Sequence, residues 1–169
     1  MDNAKFLKFI HDYTGPKLAF VVTGGGVDIH RIAQTAGASK ILHSIYAPYA
    51  REESVKFISD YLSESDGKAF DEKAVCAKSA HLLCKAGLER WSTCRVVACT
   101  AAITTDRYRR GLNQAYVAIG EPSSKKITEY HLSLSKLEEY EHGVESALLK
   151  RKQDDCEIAD FLMRLVLAE

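Results

Sequence analysis

The chain has 169 residues, 23 Lys+Arg against 23 Asp+Glu, and 46% hydrophobic residues. At roughly 100–200 residues per domain this is expected to be a single domain over residues 1–169, too apolar for a disordered chain and large enough to fold without a disulfide or metal. Zero net charge argues against a dedicated nucleic-acid or anionic-membrane binder, and no apolar run nears the ~20 residues of a membrane span.

Residues 3–13 set Phe6, Leu7, Phe9 and Ile10 among charges, which predicts a short amphipathic helix ended near Gly15 and Pro16. Residues 17–22 are a compact apolar run with β-branched members, the pattern of a buried strand. Thr23-Gly24-Gly25-Gly26 breaks it, and Val27, Ile29, Ile32 and Ala33 predict a helix capped by Gly37. A second strand is expected over residues 41–49, closed by Pro48, followed by a helix over 52–62. Residues 63–67 read as a polar turn, and Asp71 as the N-cap of a helix running to about Trp91 that turns Val75, Leu82 and Leu83 inward.

Residues 95–99 predict the next strand and 104–111 a basic loop. Residues 113–119 and 126–134 predict adjacent strands joined through Gly120-Glu121-Pro122-Ser123. The remainder is helical, with Leu137, Tyr140, Val144 and Leu148 as one apolar stripe and Ile158, Phe161, Leu162 and Leu165 as another. Asp154 and Glu157 have capping-box spacing, so a break between two helices is expected at 150–155. Strands that first alternate with helices and then follow one another imply an α/β fold of three layers, α/β/α, around a mixed sheet.

The amino terminus, Met1-Asp2-Asn3-Ala4-Lys5, lacks the basic-then-apolar layout of a signal peptide. Cys76, Cys84, Cys94, Cys99 and Cys156 show no C-x-x-C spacing, so reduced thiols in a cytoplasmic protein are expected, several of them buried, and no metal site. Neither His43 nor His81 has a neighbour at ligand spacing.

Strand, glycine turn, helix is the most informative local order. Glycine lets a ligand approach the backbone, and a helix N-terminus offers unpaired N–H groups to an anion. Thr23, Gly24, Gly25 and Gly26 are therefore candidates for binding phosphate or carboxylate. A plain tight turn fits the same pattern. The turn is not a P-loop, since no Gly-Lys-Ser/Thr follows, nor the Gly-x-Gly-x-x-Gly dinucleotide fingerprint. His30, close behind it, is either a pocket residue or an ordinary surface histidine.

Over nearly its whole length, in order and spacing, the chain resembles the C-terminal domain of the competence/damage-inducible protein CinA, a family that includes nicotinamide-nucleotide amidohydrolases. The family's A-E-S-C-T-G-G is similar to Ala19-Phe20-Val21-Val22-Thr23-Gly24-Gly25. Its P-G-A-S-K is similar to Ala36-Gly37-Ala38-Ser39-Lys40, and its V-A-Y-S-N-E-A-K to Ala47-Pro48-Tyr49-Ala50-Arg51-Glu52-Glu53-Ser54. Its A-V-S-E-E-V-A is similar to residues 69–75, its A-V-[ST]-G-I-A-G-P loop to 98–105 and its V-G-T-V-Y-I-A to 114–119. A divergent branch of the family, sometimes attached to nucleotidyltransferase-like domains, carries T-G-G-G, V-P-Y-S and T-A-A-L-x-T-D-R-x-x-x-G; residues 23–26, 47–50 and 100–111 look like it.

The resemblance implies a CinA-like α/β fold, a nucleotide-like small-molecule ligand, no cofactor, and association into homodimers or larger homo-oligomers. It also implies a Ser–Lys pair, in which an unprotonated lysine takes the serine proton and the alkoxide attacks a carboxamide. Here those two positions are Val21 and Ser54. Lys56 is near in sequence but points elsewhere on a helix. The arginine expected near the start of the last helix is absent from Leu137-Glu138-Glu139-Tyr140. Since nucleophile and base act as a unit, these losses remove most of the implied rate enhancement.

What persists is the pocket: Thr23, Gly24, Gly25, Gly26, Tyr49 and Thr100, with Arg107 in place of the lost glycine loop. The expectation is a nucleotide-binding or regulatory module without Ser–Lys chemistry. Positive charge for a phosphate then comes from the N–H groups of Gly24, Gly25 and Gly26 and from the cluster Arg107, Arg109 and Arg110. Two alternatives stand beside it. One is an amidohydrolase acting on nicotinamide mononucleotide or a related amide through a relocated nucleophile such as Thr23, and the other is a structural homo-oligomeric protein.

Overall fold

Five strands form one sheet in the order β2-β1-β3-β4-β5. β1 (Leu18–Thr23), β2 (Leu42–Tyr46) and β3 (Arg95–Ala102) run parallel, whereas β4 (Gln114–Gly120) and β5 (Ile127–Ser133) extend the sheet antiparallel. The helices are α1 (Asn3–Asp12), α2 (Arg51–Tyr61), α3 (Glu64–Glu72), α4 (Ala77–Arg90) and α5 (Val144–Ala168). The computed structural model describes residues 3–168. Met1, Asp2 and the side chain of Phe6 lie outside the described residues. Among those residues, no helix is long and apolar enough to cross a membrane.

β1 is buried at every position because it is flanked by strands and covered on both faces, which is why its sequence is an unbroken apolar run. Alternation along it separates two cores. Leu18, Phe20 and Val22 pack with Ile158, Leu162 and Met163 of α5, while Ala19 and Val21 pack with Phe57 of α2, Phe70 of α3 and Leu83 of α4. The result is the expected α/β/α arrangement around a mixed sheet.

Four sequence expectations give way. The segment read as a polar turn followed by one long helix is two helices, α3 and α4. Ser63 is the N-cap of α3, its hydroxyl accepting from the Asp66 amide at 3.1 Å, and Asp71 lies within α3 rather than capping α4, which follows Cys76. Gly67 belongs to α3 because a Cβ there would stand 2.0 Å from the Ser59 hydroxyl, so its absence lets α3 lie close on α2. Secondly, the residues after the glycine turn wind as a 3-10 segment, Val27–Gln34, ended at Thr35; Gly37 instead precedes a second 3-10 turn, Ala38–Lys40.

The third correction is the largest: α5 runs unbroken through 150–155. Asp154 is not a cap of its own helix. Its buried carboxylate accepts from the Thr104 amide at 2.9 Å, the Thr104 hydroxyl at 2.8 Å and the Asn113 side-chain amide at 3.2 Å, and pairs with Lys150 one turn earlier. The stripe expected upstream is not core either: Tyr140 is 86% and Val144 87% exposed, and Leu148 is exposed as well.

Candidate functional site

The site is laid out by the parallel part of the sheet. β1 turns away toward β2 while β3, its other neighbour, continues toward β4, so a crevice opens past the carboxyl ends of β1 and β3. In open α/β sheets ligands bind at such a switch point. Thr23 and Thr100 are register partners at those two ends. Both follow the alternation that puts Ala19 and Val21, and Val96 and Ala98, on the α2–α4 face, so both hydroxyls turn to that side.

The Thr100 hydroxyl donates to the carbonyl of Ala74 at 2.6 Å and so holds the α3–α4 connection against β3. The Thr23 hydroxyl meets Ser54 Oγ at 3.5 Å, and that serine donates to the Pro48 carbonyl at 3.0 Å. Ser54 is fully buried on α2, and Val21 is fully buried one step deeper on the same face of β1. The two positions that the resemblance assigns to base and nucleophile therefore lie on the same α2–α4 side of β1. What occupies them is a hydroxyl that is no base at neutral pH and an aliphatic side chain. The group facing Thr23 is thus another alcohol, which cannot activate it.

The glycine turn is held by the protein itself. Gly24 has φ of 77°, and a Cβ there would fall 2.0 Å from the carbonyl oxygen of Ala101 on β3. At Gly26, with φ of 86°, it would fall 2.9 Å from Ile158 of α5. The anion at the start of the 3-10 segment is internal: Asp155 of α5 accepts from the amides of Gly26 at 2.6 Å, Val27 at 3.0 Å and Asp28 at 2.8 Å. From its sequence alone the Gly26 amide is expected to face a ligand phosphate. It serves a carboxylate of the last helix instead.

Positive charge comes from a different set of residues as well. A cleft of about 620 Å3 lies over Thr23, Gly24 and Thr100, and Arg51, Lys73, Arg109 and Arg151 line it with no carboxylate among the lining side chains. Arg109 donates to the Ile103 carbonyl at 3.2 Å and to Asn113 Oδ1 at 2.8 Å. Arg151 donates to the Thr104 carbonyl at 2.8 Å and to the Tyr49 hydroxyl at 3.0 Å. These partners are neutral oxygens, which orient the guanidinium groups without neutralising them. Arg51 is ion-paired with Asp71 at 3.0 Å.

Of the sequence-derived candidates, Thr23, Gly24, Tyr49 and Thr100 come together around this cleft. Gly25 borders an adjoining hollow, and Gly26 is committed to Asp155. Arg107 does not line the cleft; its side chain is 91% exposed beside Asp106. His30 is exposed, its ring on the Val27 carbonyl at 3.0 Å. Sequence reasoning missed Arg51, Lys73, Arg109 and Arg151 as a group. Arg109 was in view as part of the basic loop. Arg151 was not: it stands in the second turn of α5, beyond the segment 137–140 in which the resemblance implies an arginine.

No protein-family model matches the chain, and no curated protein matches it in sequence. Solved structures are similar along almost its full length. The competence/damage inducible protein CihA from Agrobacterium tumefaciens superposes with a TM-score of 0.67 at 16% identity, covering 98% of this chain and 94% of that one. A competence-damaged protein (CinA) superfamily protein from Escherichia coli does so with a TM-score of 0.65 at 12% identity, covering 98% and 87%. A competence or damage-inducible protein from Enterobacter asburiae gives 0.65 at 10%, covering 96% and 94%. The α/β/α sheet described above therefore has the same fold as these CinA-like proteins. At such identities the likeness is one of fold alone; function rests on the site.

Proposed function

We propose that this chain is a binding or regulatory module of CinA-like fold that takes a nucleotide-like anion in the cleft past β1 and β3, without Ser–Lys amidohydrolase chemistry. One observation carries the reading: in a chain of zero net charge, Arg51, Lys73, Arg109 and Arg151 converge on a single cleft whose lining holds no carboxylate. Arginine forks suit the oxygens of a phosphate. The ligand set is Thr23, Gly24, Tyr49 and Thr100, with Arg109 and Arg151 in the role first given to Arg107. Turnover of an amide through Thr23 is disfavoured by its neighbour, since Ser54 at 3.5 Å offers no base.

Calorimetric titration with nicotinamide mononucleotide and nicotinate mononucleotide at two salt concentrations tests this reading. Binding that weakens with salt, and weakens about tenfold or more in Arg109→Gln and Arg151→Gln, is expected; a hydrogen bond to a charged group contributes about 1.5–3 kcal/mol. Ammonia release from nicotinamide mononucleotide above a heat-killed control, abolished by Thr23→Val, would restore the amidohydrolase reading. Absence of binding at millimolar ligand would favour a structural role.

The same reading places the protein in the cytoplasm with reduced thiols, as a homodimer or higher homo-oligomer. Its support is the resemblance, together with the exposed apolar Tyr140 and Val144. Sedimentation of wild type against Val144→Glu tests the association.

A further inference from the structure

Behind Arg109 lies a cluster of four buried polar side chains, Thr104, Asn113, Lys150 and Asp154. They come from the loop after β3, the entry to β4 and two turns of α5. The Asp154 carboxylate is their hub. Buried polar networks of this kind are costly unless every member is satisfied, and a satisfied one fixes a single arrangement.

The hydrogens of the cluster can be assigned one by one. The Asp154 carboxylate, paired with the Lys150 ammonium, only accepts. The Thr104 hydroxyl has one hydrogen and gives it to that carboxylate at 2.8 Å, so toward Asn113 it too only accepts. Asn113 is 2.9 Å from the hydroxyl and 3.2 Å from the carboxylate, and both contacts therefore need its NH2 group. Its side-chain oxygen remains, and accepts from Arg109 Nη2 at 2.8 Å. Which way this amide points is thus dictated by a carboxylate 41 residues away. The backbone there is fixed as well, since the Asn113 carbonyl accepts from the Leu134 amide at 3.0 Å.

Arg109 Nη2 gives its two hydrogens to Asn113 Oδ1 and to the Ile103 carbonyl at 3.2 Å. The N–H groups of a guanidinium share one plane, so two acceptors on one nitrogen fix the plane of the whole fork. Among the described residues, Nη1 and Nε have no hydrogen-bond partner, and Arg109 lines the basic cleft. A neutral amide oxygen holds the group without pairing off its charge, which a carboxylate in the same place would do.

We infer that Asn113 is a positioning residue of the cleft. Gripped through its NH2 group by Asp154 and Thr104, it turns its oxygen to Arg109 and aims that guanidinium at the bound anion with its charge unspent. This role rests on the proposed function and adds to it the residue that sets one of its cations.

Calorimetric titration of the full chain with nicotinamide mononucleotide and with inorganic pyrophosphate tests the role, at a temperature where melts show the variants folded. Asn113→Ala should weaken both probes about fivefold or more, and so should Asn113→Ser, which retains a hydroxyl donor for the buried carboxylate. In the Arg109→Gln background the same substitutions should change affinity less than about twofold, because the group they position is gone. Thr104→Val removes a different hydrogen bond to Asp154 and leaves the Asn113 oxygen on Arg109, so affinity should stay within about twofold of wild type. Unchanged affinity in both Asn113 variants overturns the inference and leaves the proposed function standing. An equal loss in the Arg109→Gln background also overturns it, since Asn113 would then act through the fold and not through Arg109. An equal loss in Thr104→Val, or failure of both Asn113 variants to fold, overturns it for the same reason. Wild-type protein that binds neither probe overturns the proposed function, and this role falls with it.

Discussion

Removing the Asp155 carboxylate should loosen the glycine turn by a measurable amount. In wild type one carboxylate satisfies the amides of Gly26, Val27 and Asp28 at 2.6, 3.0 and 2.8 Å. Hydrogen bonds to a charged acceptor contribute about 1.5–3 kcal/mol each, but these share a single acceptor group. The Val27 contact is also exposed, so water replaces it at little cost. An overall loss of about 3 kcal/mol is expected for Asp155→Ala, which for a chain of this size lowers Tm by ~6–12 °C. Asp155→Asn should lose about half as much, because its amide oxygen serves part of the turn while its NH2 group faces a donor. Differential scanning calorimetry in an anion-poor buffer measures both. Added sulfate should raise the Tm of Asp155→Ala more than that of wild type, since the amides can then donate to a free anion. A Tm for Asp155→Ala within 2 °C of wild type, with no extra response to sulfate, would refute the role given to this carboxylate.

Three further outcomes follow from the packing and the buried groups. Gly24→Ala would place a Cβ 2.0 Å from the Ala101 carbonyl oxygen at a φ of 77°, so a loss of about 4 kcal/mol or failure to fold is expected; urea unfolding that shows under ~1 kcal/mol would contradict it. Asp154→Ala leaves Lys150 buried without its partner and should cost about 3–5 kcal/mol by the same measurement. Buried thiols contribute to alkaline sensitivity: burial pushes Cys99 up from the ordinary 9.0 to about 12, and burial likewise raises Cys84. A raised acid pKa means the folded state holds the proton longer, so the contribution is intact below pH ~9 and falls by about 1.4 kcal/mol per pH unit per thiol above it. Cys99→Ala should flatten the urea-derived stability profile between pH 9 and 12 by one such slope. A profile unchanged from wild type would show the thiol is not the titrating group.

The fold was largely legible because its strands and most of its helices carry local signals. The unbroken apolar run before the glycines, the alternation of the early strands with helices, and the later consecutive strands suffice for a three-layer α/β domain. Ser63 and Gly67 misled for a physical reason. Both are turn formers locally, yet one caps α3 and the other fits against Ser59 of α2, a contact invisible along the sequence. Asp154 misled in the same way. Capping spacing is a local pattern, whereas its carboxylate serves Thr104 and Asn113, which are remote in the chain.

The candidate site was legible in half. Thr23, Gly24, Tyr49 and Thr100 stand at strand ends or just after them, and strand order predicts where such residues gather. Val21 and Ser54 stand where the resemblance implies a nucleophile and its base, and their identities are read directly from the sequence. The charge of the cleft could not. Arg51, Lys73, Arg109 and Arg151 come from four separate segments and form no run or motif. Arg107, which shares the basic run of Arg109, points to solvent instead.

By itself, then, the sequence determined the fold class and the break after β1, because periodicity and residue identity act over a few positions. Only the tertiary structure decided what the glycine turn binds and where the positive charge lies. Both depend on α5 crossing the sheet: it brings Asp155 onto the amides of Gly26, Val27 and Asp28 and Arg151 onto Tyr49. Those partners are more than a hundred residues apart in the chain. A carboxylate and a guanidinium find them through space, and nothing in the local pattern around either marks the choice.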